Sequence, residues 1–440
     1  MLLSELLKGI DTKSNFNDTE ITDITDNTAK LCKGCVFVCI KGAHFDGHSA
    51  AEEAVNKGAR AVVAEYDTGV ENQILVKNTR DAYSLLCANF YGNPSEKLHL
   101  IGITGTNGKT TTTFILKGIF DNLGIKSGLI GTVKNVTGDK EYPSSLTTPD
   151  SKELQRLFRE MVDSGCKYCV MEVSSQALAQ GRVDGCHFDI ALFTNLTQDH
   201  LDYHKTFENY RNAKRKLFEI ADTAVINIDD ESAHYMVDGL PIKVVTFSVK
   251  NNEAQFVAKN VVCTSSSVQY ELLWNDKIGR ANVGIPGHFT VYNTMGAAIC
   301  AILTGLDFSD VLSSLKKSKG VPGRVEVVPT DTDYTVLIDY AHSPDGLENV
   351  ISSVRETTNG RIIADRDKTK RPKMGKIVGD LADVAVVTSD NPRSEDPQLI
   401  VDDVLEGMHN CKAKIKVLVD RTEAIRYALG EAKKGDVVLL

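Results

Sequence analysis

The chain has 440 residues, 42% of them hydrophobic and 25% charged, as expected for a globular protein of about three domains. Its formal net charge of −9 argues against a general nucleic-acid-binding protein, which would carry a basic surface. No apolar run approaches the roughly 20 residues of a membrane span, and the start "MLLSELLKGI" is too short and too acidic for a signal peptide. We therefore expect a cytoplasmic protein.

Residues 1–97 alternate short apolar runs such as "GCVFVCI", "ARAVVAEY" and "NQILVKN" with helical patterns such as "HSAAEEAVNKG". This alternation predicts a small α/β domain. A turn-rich segment, "YGNPSEKL", marks its end.

Ten cysteines raise the question of a metal site, because Cys32/Cys35 and Cys166/Cys169 form two C-x-x-C pairs. The two pairs lie far apart in the chain, outside the spacing of an ordinary zinc module. Each pair borders an apolar strand-like run, where cysteine behaves as a small buried hydrophobic residue. We therefore predict buried thiols rather than zinc ligands, in a protein from a reducing compartment.

The run "IGITGTNGKTTTT" differs by one residue from the usual phosphate-loop spelling, which has a glycine where this chain has Ile103. An apolar strand precedes the loop and an amphipathic helix follows it, so backbone N–H groups and the helix dipole favour an anion there. Gly105 and Gly108 permit a tight turn, Lys109 supplies a positive charge, and Thr110 supplies a hydroxyl for Mg²⁺. This pattern predicts a nucleotide site; the alternative is a polar turn before a helix.

Residues 98–322 continue the alternation of strands and helices and predict a central domain with a parallel sheet. Glu172 ends the strand "YCVMEV", at the carboxyl edge where open α/β sheets bind ligands. It could hold Mg²⁺ or merely cap the next helix. The next strand is followed by four potential ligands, Asp199, His200, Asp202 and His204. So many ligand types together favour a functional cluster, without naming the metal.

The helix "ENYRNAKRKLFE" has an ordinary surface pattern, which by itself predicts a solvated Lys214. After the joint "KGVPGR", residues 323–440 predict a third α/β unit, with strands in "YTVLIDYAH", "DVAVVTSD" and "AKIKVLVD". Its loops carry a cationic zone made of Arg366, Lys370, Arg371 and Arg393. Such a zone suits carboxylates or phosphates, although each basic residue taken singly is more often only exposed surface.

Ten motifs occur in order over nearly the whole chain: "TGTNGKTTTT", "LTTPDS", "EVSSQAL…GR", "TNLTQDHLDYH", "NAK", "VYNTMGA", "PGR", "DYAHSPD", "RDKTKRPKMG" and "SDNPRSEDP". In these ten motifs the chain resembles the Mur ligase family, whose phosphate loop has the sequence G-T-N-G-K-T-T. The resemblance implies an α/β protein of three domains. These are a small N-terminal domain that binds the UDP-substrate (1–97), a central P-loop ATPase with a parallel sheet (98–322) and a Rossmann-like C-terminal domain that binds the amino acid (323–440).

The resemblance is strongest to family members that add a diamino acid. It implies an ATP-dependent amide ligase that joins meso-diaminopimelate to UDP-MurNAc-L-Ala-D-Glu through an acyl phosphate, in peptidoglycan precursor synthesis. The implied cofactors are ATP and Mg²⁺, with an N6-carboxylysine at Lys214. We expect a monomer with no nucleic-acid partner.

The family's functional residues carry over to matching positions here. The catalytic residues are Lys109, Glu172, His200 and Lys214, and the metal ligands are Thr110, Glu172, His200 and Lys214. The ATP-binding residues are Gly105, Thr106, Asn107, Gly108, Lys109, Thr110, Thr111, Asn293, Arg324 and Asp339. The residues for the UDP-MurNAc-dipeptide are Thr28, Thr147, Thr148, Ser174, Gln180 and Arg182. Those for diaminopimelate are Arg366, Asp390, Asn391, Pro392 and Arg393.

This chain departs from the family pattern in three places. It has no glycine-rich turn before "DRD", Thr290 replaces a common asparagine at the adenine contact, and the family's "GKGHE" motif would follow the final "GDVVLL". Either the turn and the motif are deleted from this protein, or the sequence is incomplete. The alternatives are a lysine-adding Mur ligase, a folylpolyglutamate synthetase-like ligase and an ATP-sensing protein without catalysis.

Overall fold

Three β-sheets, each flanked by helices, follow one another along the chain. A computed structural model describes residues 1–12, 14–42, 45–318, 320–341, 344–358, 360–366, 371–389 and 395–440, with the side chains of Asp345, Asp365 and Arg366 left out. None of the helices within these ranges is long and apolar enough to cross a bilayer.

The first sheet is four-stranded and parallel, with strands in the order β1-β2-β3-β4. Its strands are β1 (Asp23–Thr25), β2 (Cys35–Val38), β3 (Ala61–Ala64) and β4 (Gln73–Leu75). The helices are α1 (Leu3–Leu6), α2 (Ala51–Asn56) and α3 (Thr79–Phe90), with 3₁₀ turns at Thr28–Lys30, Gly47–Ala50 and Pro94–Lys97. Strands β2 and β3 are buried at every position, because helices cover both faces of the sheet.

The central sheet has eleven strands in the order β15-β14-β13-β12-β11-β10-β5-β9-β6-β7-β8. The strands are β5 (His99–Thr104), β6 (Ser127–Ile130), β7 (Lys134–Thr137), β8 (Glu141–Pro143), β9 (Tyr168–Glu172), β10 (Phe188–Phe193), β11 (Ala221–Asn227), β12 (Lys243–Ser248), β13 (Phe256–Cys263), β14 (Val268–Trp274) and β15 (Lys277–Val283). The helices are α4 (Lys109–Asn122), α5 (Ser151–Asp163), α6 (Ser175–Ala179), α7 (Leu201–His204), α8 (Phe207–Glu219), α9 (Ala233–Val237), α10 (Phe289–Leu303) and α11 (Phe308–Leu315).

The middle of this sheet, from β13 to β6, is parallel, while β14, β15, β7 and β8 extend it with antiparallel pairs. Strand β5 lies at its centre between β10 and β9. Helices α4 and α10 cover one face and α5 and α8 the other, so β5 is buried from Leu100 onward. All the parallel strands therefore end at one edge, which is where the phosphate loop begins.

The third sheet has six strands in the order β16-β17-β21-β18-β19-β20, of which only the edge strand β16 runs antiparallel to its neighbour. Its strands are β16 (Glu326–Val328), β17 (Thr335–Ile338), β18 (Ile362–Arg366), β19 (Val384–Val387), β20 (Lys414–Val417) and β21 (Val437–Leu439). Its helices are α12 (Pro344–Thr357), α13 (Arg371–Leu381), α14 (Pro397–Glu406) and α15 (Arg421–Glu431).

The predicted α/β class with three sheet-containing regions is confirmed. The antiparallel strands at both ends of the central sheet were not predicted. The exact domain boundaries stay a prediction, although the three sheets fall within 1–97, 98–322 and 323–440. Three of the four C-x-x-C thiols are buried as predicted, whereas Cys32 is exposed.

The first and central regions are docked through α3. The Ser84 hydroxyl of α3 accepts a hydrogen bond from the backbone N–H of Gly185 at 2.8 Å and donates to the carbonyl of Arg182 at 3.5 Å. Lys152 adds an ion pair with Asp23 of β1 at 2.6 Å. Gly185 lies so close to α3 that a Cβ there would be 2.5 Å from the Ser84 carbonyl oxygen. The contact between Gly185 and α3 is therefore possible only because glycine has no side chain.

Replacing Gly185 by alanine is expected to lower the free energy of unfolding by about 1–3 kcal/mol, because the added methyl group overlaps the α3 backbone. Gly118→Ala is the matched control: a Cβ at Gly118 meets no atom within 4 Å, and alanine favours the interior of helix α4. Urea denaturation of both variants checks this. A G185A midpoint equal to that of the wild type would contradict it.

Candidate active site

The phosphate loop joins β5 to α4 and curls tightly at two glycines. Gly105 has φ +151°, and a Cβ there would be 1.9 Å from the Thr194 hydroxyl. Gly108, the residue before α4, has φ +88°, and a Cβ there would be 2.3 Å from Oδ1 of Asn293. Both positions therefore require glycine. Ile103, which departs from the usual spelling, is fully buried in β5, so it contributes to the core and not to the loop.

The end of the neighbouring strand β10 holds this loop in place. The Asn195 side chain accepts from the Asn107 N–H at 3.0 Å and donates back to its carbonyl at 3.1 Å. The Thr194 hydroxyl also donates to the Asn107 carbonyl, at 2.7 Å. The loop is thus fixed from outside itself, which leaves the backbone N–H groups at the start of α4 to face an anion.

Two lysine side chains converge on one backbone oxygen of the loop. Lys109 Nζ donates to the Gly105 carbonyl at 2.8 Å and to that of Thr106 at 2.9 Å. Lys214 Nζ donates to the same Gly105 carbonyl at 2.7 Å. Two ammonium groups around one oxygen repel each other strongly in a desolvated place.

Lys214 is 1% exposed, so its prediction from the helix pattern as a solvated lysine is wrong. It lies on the face of α8 that packs against the phosphate loop, with its Nζ 4.7 Å from the centre of the Tyr210 ring. Burial holds the pKa of Lys214 well below its usual value, and the charge of Lys109 lowers it further. Burial likewise lowers the pKa of Lys109, with a smaller opposing effect of Glu172.

Glu172 ends β9 beside the first turn of α4 and is 1% exposed. Its carboxylate accepts from the Thr110 hydroxyl at 2.9 Å. It also accepts from the N–H of Thr132 at 2.8 Å and from its hydroxyl at 3.2 Å. The structure therefore favours the ligand-binding interpretation over the helix-cap one, since the residue that caps α6 is Ser174. The paired oxygens of Thr110 and Glu172 suit Mg²⁺.

His200 lies on the other side of the phosphate loop with φ +52°, an uncommon conformation for a residue other than glycine. Its N–H donates to the Asp199 carboxylate at 2.8 Å, and its Nε2 is 3.6 Å from the second Asp199 oxygen. Burial, partly opposed by Asp199, lowers the pKa of His200, which favours the neutral, metal-binding ring. Within the described residues no three His, Cys, Asp or Glu side chains are grouped as a metal site, so a cation here needs other oxygens as well.

The predicted cluster of Asp199, His200, Asp202 and His204 is divided by the structure. His204 is buried and its Nε2 lies 2.9 Å from the Ser175 hydroxyl, at the start of α6. Its ring packs against Tyr210, whose hydroxyl is 3.0 Å from that of Thr106 in the phosphate loop. His204 thus links α6 to the loop and is not placed to share a cation with His200.

Four of the residues predicted for the muramoyl-dipeptide form one hydrogen-bonded group. The Thr148 hydroxyl donates to the Glu172 carbonyl at 2.9 Å and accepts from the Ser174 N–H at 3.0 Å. Arg182 donates to the Thr148 carbonyl at 2.7 Å, and its Nε and Nη2 donate to Oε1 of Gln180 at 3.0 and 2.7 Å.

The other two predicted dipeptide residues lie outside that group. Thr147 is hydrogen-bonded through its hydroxyl to that of Thr132 at 3.0 Å, and so lies near Glu172. Thr28 lies in the first sheet region, at the start of a 3₁₀ turn. The hydrogen-bonded group at Thr148 therefore belongs to the central region and Thr28 to the first region, and α3 joins these two regions.

The predicted nucleotide residues of the third region approach the same loop. Arg324 contributes a repulsive charge that lowers the pKa of Lys109, and its guanidinium lies 5.1 Å from the centre of the Tyr340 ring. Asp339 accepts from the backbone N–H groups of Val325 at 2.8 Å and Ala341 at 2.7 Å. Val325 has φ +45°, which is rare for a β-branched residue, so Asp339 holds a strained backbone next to Arg324.

The remaining predicted residues are less informative. Thr111 lies in the first turn of α4. Thr290, at the start of α10, donates its hydroxyl to the Pro286 carbonyl at 2.8 Å and is buried. Asp390, Asn391, Pro392 and Arg393 lie outside the described residues, as does Lys370, and the side chain of Arg366 is not described either.

Sequence reasoning missed several residues that shape the site: Thr132, Thr194, Asn195, Tyr203 and Tyr210. Thr194 and Asn195 directly follow β10, so their position at a strand's carboxyl end was an available signal. Tyr210 precedes Lys214 by one helical turn, but nothing in the local pattern shows that this face is buried. Thr132 comes from a loop after β6, and only the sheet order brings it to Glu172.

Comparison with known proteins comes from family models, relatives and solved structures. Three models match: the Mur ligase family, catalytic domain, at residues 20–91; the Mur ligase middle domain at 103–301; and the Mur ligase, glutamate ligase domain at 323–440. Two relatives are named UDP-N-acetylmuramoyl-L-alanyl-D-glutamate--2,6-diaminopimelate ligase. The one from Clostridium perfringens is 43% identical over 459 residues, covering 100% of this chain and 94% of the relative. The one from Caldanaerobacter subterraneus is 44% identical over 453 residues, covering 100% and 93%.

A solved structure of a protein with the same name superposes with a TM-score of 0.77 at 28% identity, covering 100% of this chain and 92% of that one. The family models, the relatives and the solved structure all match the part of the chain that contains the phosphate loop, Lys214 and the hydrogen-bonded group at Thr148. The chain belongs to the Mur ligase family.

Proposed function

We propose that this chain is an ATP-dependent ligase that adds meso-diaminopimelate to UDP-MurNAc-L-Ala-D-Glu in peptidoglycan precursor synthesis. The observation that carries this is similarity over the full chain, at 43–44% identity, to ligases of that name. The chain is proposed to act as a monomer in the cytoplasm, with residues 1–97, 98–322 and 323–440 as its domains.

The geometry supports a reaction in two steps. A substrate carboxylate attacks the γ-phosphorus of ATP, so that an acyl phosphate forms and ADP leaves. The amine of the amino acid then attacks the acyl carbon, so that an amide forms, phosphate leaves and the amine loses a proton. The phosphate loop offers backbone N–H groups and Lys109 to the phosphates, and positioned cationic groups are the main catalytic contribution in phosphoryl transfer.

Two sets of residues are proposed to hold Mg²⁺. Thr110 and Glu172 form the first set, because their oxygens are hydrogen-bonded at 2.9 Å beside the phosphate loop. His200 and a carbamylated Lys214 form the second. Mg²⁺ bound there would neutralise the charge that develops on the transferred phosphoryl group.

Carbamylation of Lys214 explains how the two lysines share one carbonyl. A neutral amine attacks the carbon of CO₂: the new N–C bond forms, one C=O electron pair moves to oxygen, and the amine proton leaves to solvent. The product is an anion, so repulsion by Lys109 becomes attraction. The lowered pKa of Lys214 provides the neutral amine that this step needs.

The amino-acid site is proposed from the sequence alone, because Asn391 and Arg393 lie outside the described residues. An arginine binds a carboxylate through two parallel hydrogen bonds, and meso-diaminopimelate carries a distal carboxylate that L-lysine lacks. The proposed site residues are Arg366 and Asp390 to Arg393. The alternative is a surface role in which Arg393 only pairs with a neighbouring acid.

The proposed function is tested by measuring tripeptide and phosphate with purified wild-type protein. We expect ADP formation to depend on the muramoyl substrate, and diaminopimelate to exceed L-lysine in kcat/KM by about 10⁴, since a site built for a charged group rejects an analogue that lacks it. Arg393→Ala should reduce this preference while leaving the KM for ATP within about twofold.

Three outcomes would contradict the proposal. ADP formation that ignores the muramoyl substrate indicates an ATP-sensing protein. Activity on a folate substrate indicates a folylpolyglutamate synthetase-like ligase. Equal use of lysine and diaminopimelate indicates that Arg393 has no role in the choice.

Replacing Glu172 by glutamine keeps the shape of the side chain but removes its charge. We expect the Mg²⁺ concentration for half-maximal activity to rise about 10- to 100-fold, as happens when a ligand or its support is lost. Glu208→Gln, on the exposed first turn of α8, is the matched control and should behave as wild type. An unchanged Mg²⁺ dependence in the E172Q variant would refute the assignment.

Replacing Lys214 by alanine is expected to lower kcat by about 100-fold or more, because the anionic ligand is lost from the phosphate site. A short carboxylic acid added to the assay should restore part of this activity. Lys216→Ala, an exposed lysine on the same helix, is the control. A K214A variant with full activity, or a mass spectrum of wild-type protein from bicarbonate buffer that shows no carbamate, would argue against it.

A further inference from the structure

Tyr203 lies between two parts of the site that have different proposed roles. It belongs to the short helix α7, directly after His200, and its N–H donates to the His200 carbonyl at 3.1 Å. Its hydroxyl accepts from Nε2 of Gln180 at 3.2 Å. The side chain is 41% exposed, so it borders solvent at the mouth of the site and is not a core residue.

The hydrogen bonds of Gln180 explain what this hydroxyl does. Oε1 of Gln180 accepts from both Nε and Nη2 of Arg182, at 3.0 and 2.7 Å. Only the amide oxygen can accept these bonds, because an arginine side chain has donors alone. The amide nitrogen must then face Tyr203, whose hydroxyl accepts from it. Arg182 thus sets the orientation of the Gln180 amide, and the Tyr203 hydroxyl, which can donate or accept, anchors the other end of that amide.

Arg182 depends in turn on the position at which Tyr203 anchors the Gln180 side chain. Among the described residues, three of its five N–H groups have partners: two donate to Gln180 and one to the Thr148 carbonyl. If the Gln180 side chain lost its anchor at Tyr203, its amide oxygen would no longer be held against Nε and Nη2 of Arg182. The two N–H groups of Arg182 that remain for an anionic substrate would then lose their fixed direction.

We propose that Tyr203 is a positioning residue for the muramoyl-dipeptide, which acts through the Gln180 amide to hold the guanidinium of Arg182 toward the anionic substrate. This inference rests on the proposed function, because it takes Gln180 and Arg182 to bind that substrate. It also ties the substrate group to the backbone of the His200 segment, since Tyr203 and His200 are joined within one helical turn.

The test is Tyr203→Phe, which removes the hydroxyl and keeps the ring that packs edge-on against His204, with centroids 4.8 Å apart. We expect the KM for UDP-MurNAc-L-Ala-D-Glu to rise about 5- to 10-fold, the loss of roughly one hydrogen bond. The KM for ATP should stay within about twofold, which a general loosening of the site would not allow. Tyr142→Phe is the control, because it removes a hydroxyl bonded to Glu160 on α5, away from the phosphate loop.

A double-mutant cycle separates positioning from direct substrate contact. In a Gln180→Ala background, where KM is already raised, Tyr203→Phe should add less than about twofold, because its route to Arg182 is gone. Full additivity of the two substitutions would overturn the positioning role, as would an active Y203F enzyme with unchanged KM for the muramoyl substrate. Wild-type protein that makes no tripeptide would overturn the proposed function, and with it this inference.

Discussion

The carbonyl oxygen of Gly105 is the point on which the rest of the site depends. It accepts from Lys109 and Lys214 at once, so two amines with desolvated surroundings meet at one backbone atom. Lys214 is buried there and Lys109 is half-buried, and the pKa values of both are lowered. Two positive charges at one oxygen repel each other, so a nearby anion or a neutral amine would stabilise the arrangement.

The surrounding structure serves to keep that carbonyl where it is. Gly105 approaches Thr194 more closely than any side chain would allow, and Asn195 holds Asn107 from the end of the adjacent strand. Helix α8 places Lys214 from the other side through its buried face. The strand that precedes the loop lies at the centre of an eleven-stranded sheet, and helices pack on both faces of that sheet.

The sequence predicts the local parts of this site and not the contacts between distant ones. The phosphate loop could be predicted because a strand, two glycines and a helix start follow one another without interruption. Glu172 could be placed at a strand end by the same reasoning. Lys214 could not, because its helix has an ordinary surface pattern and becomes buried only where it meets a loop 109 residues earlier. Only the family resemblance pointed to it.

The antiparallel strands of the central sheet were missed for a related reason. In strands β14 and β15 exposed or half-buried positions, such as Ile278, interrupt the buried ones, so both strands lack the continuous apolar run of the parallel strands. Their pairing is visible only in the register of Val268 with Val283 and of the residues that follow. The position of His204 was likewise beyond local reasoning, since it depends on contacts with Ser175 and Tyr210, which lie elsewhere in the sequence.

The close approach of Gly185 to α3 bears on the length of substrate that the site can accept. With the first and central regions fastened to each other, the span from Thr28 to the phosphate loop is a fixed distance. If the substrate binds with its nucleotide end near Thr28, as proposed above, only a substrate of matching length can bring its carboxylate to the phosphate loop. Discrimination between precursors whose peptides differ by one residue would then depend on Gly185, which lies outside the phosphate loop.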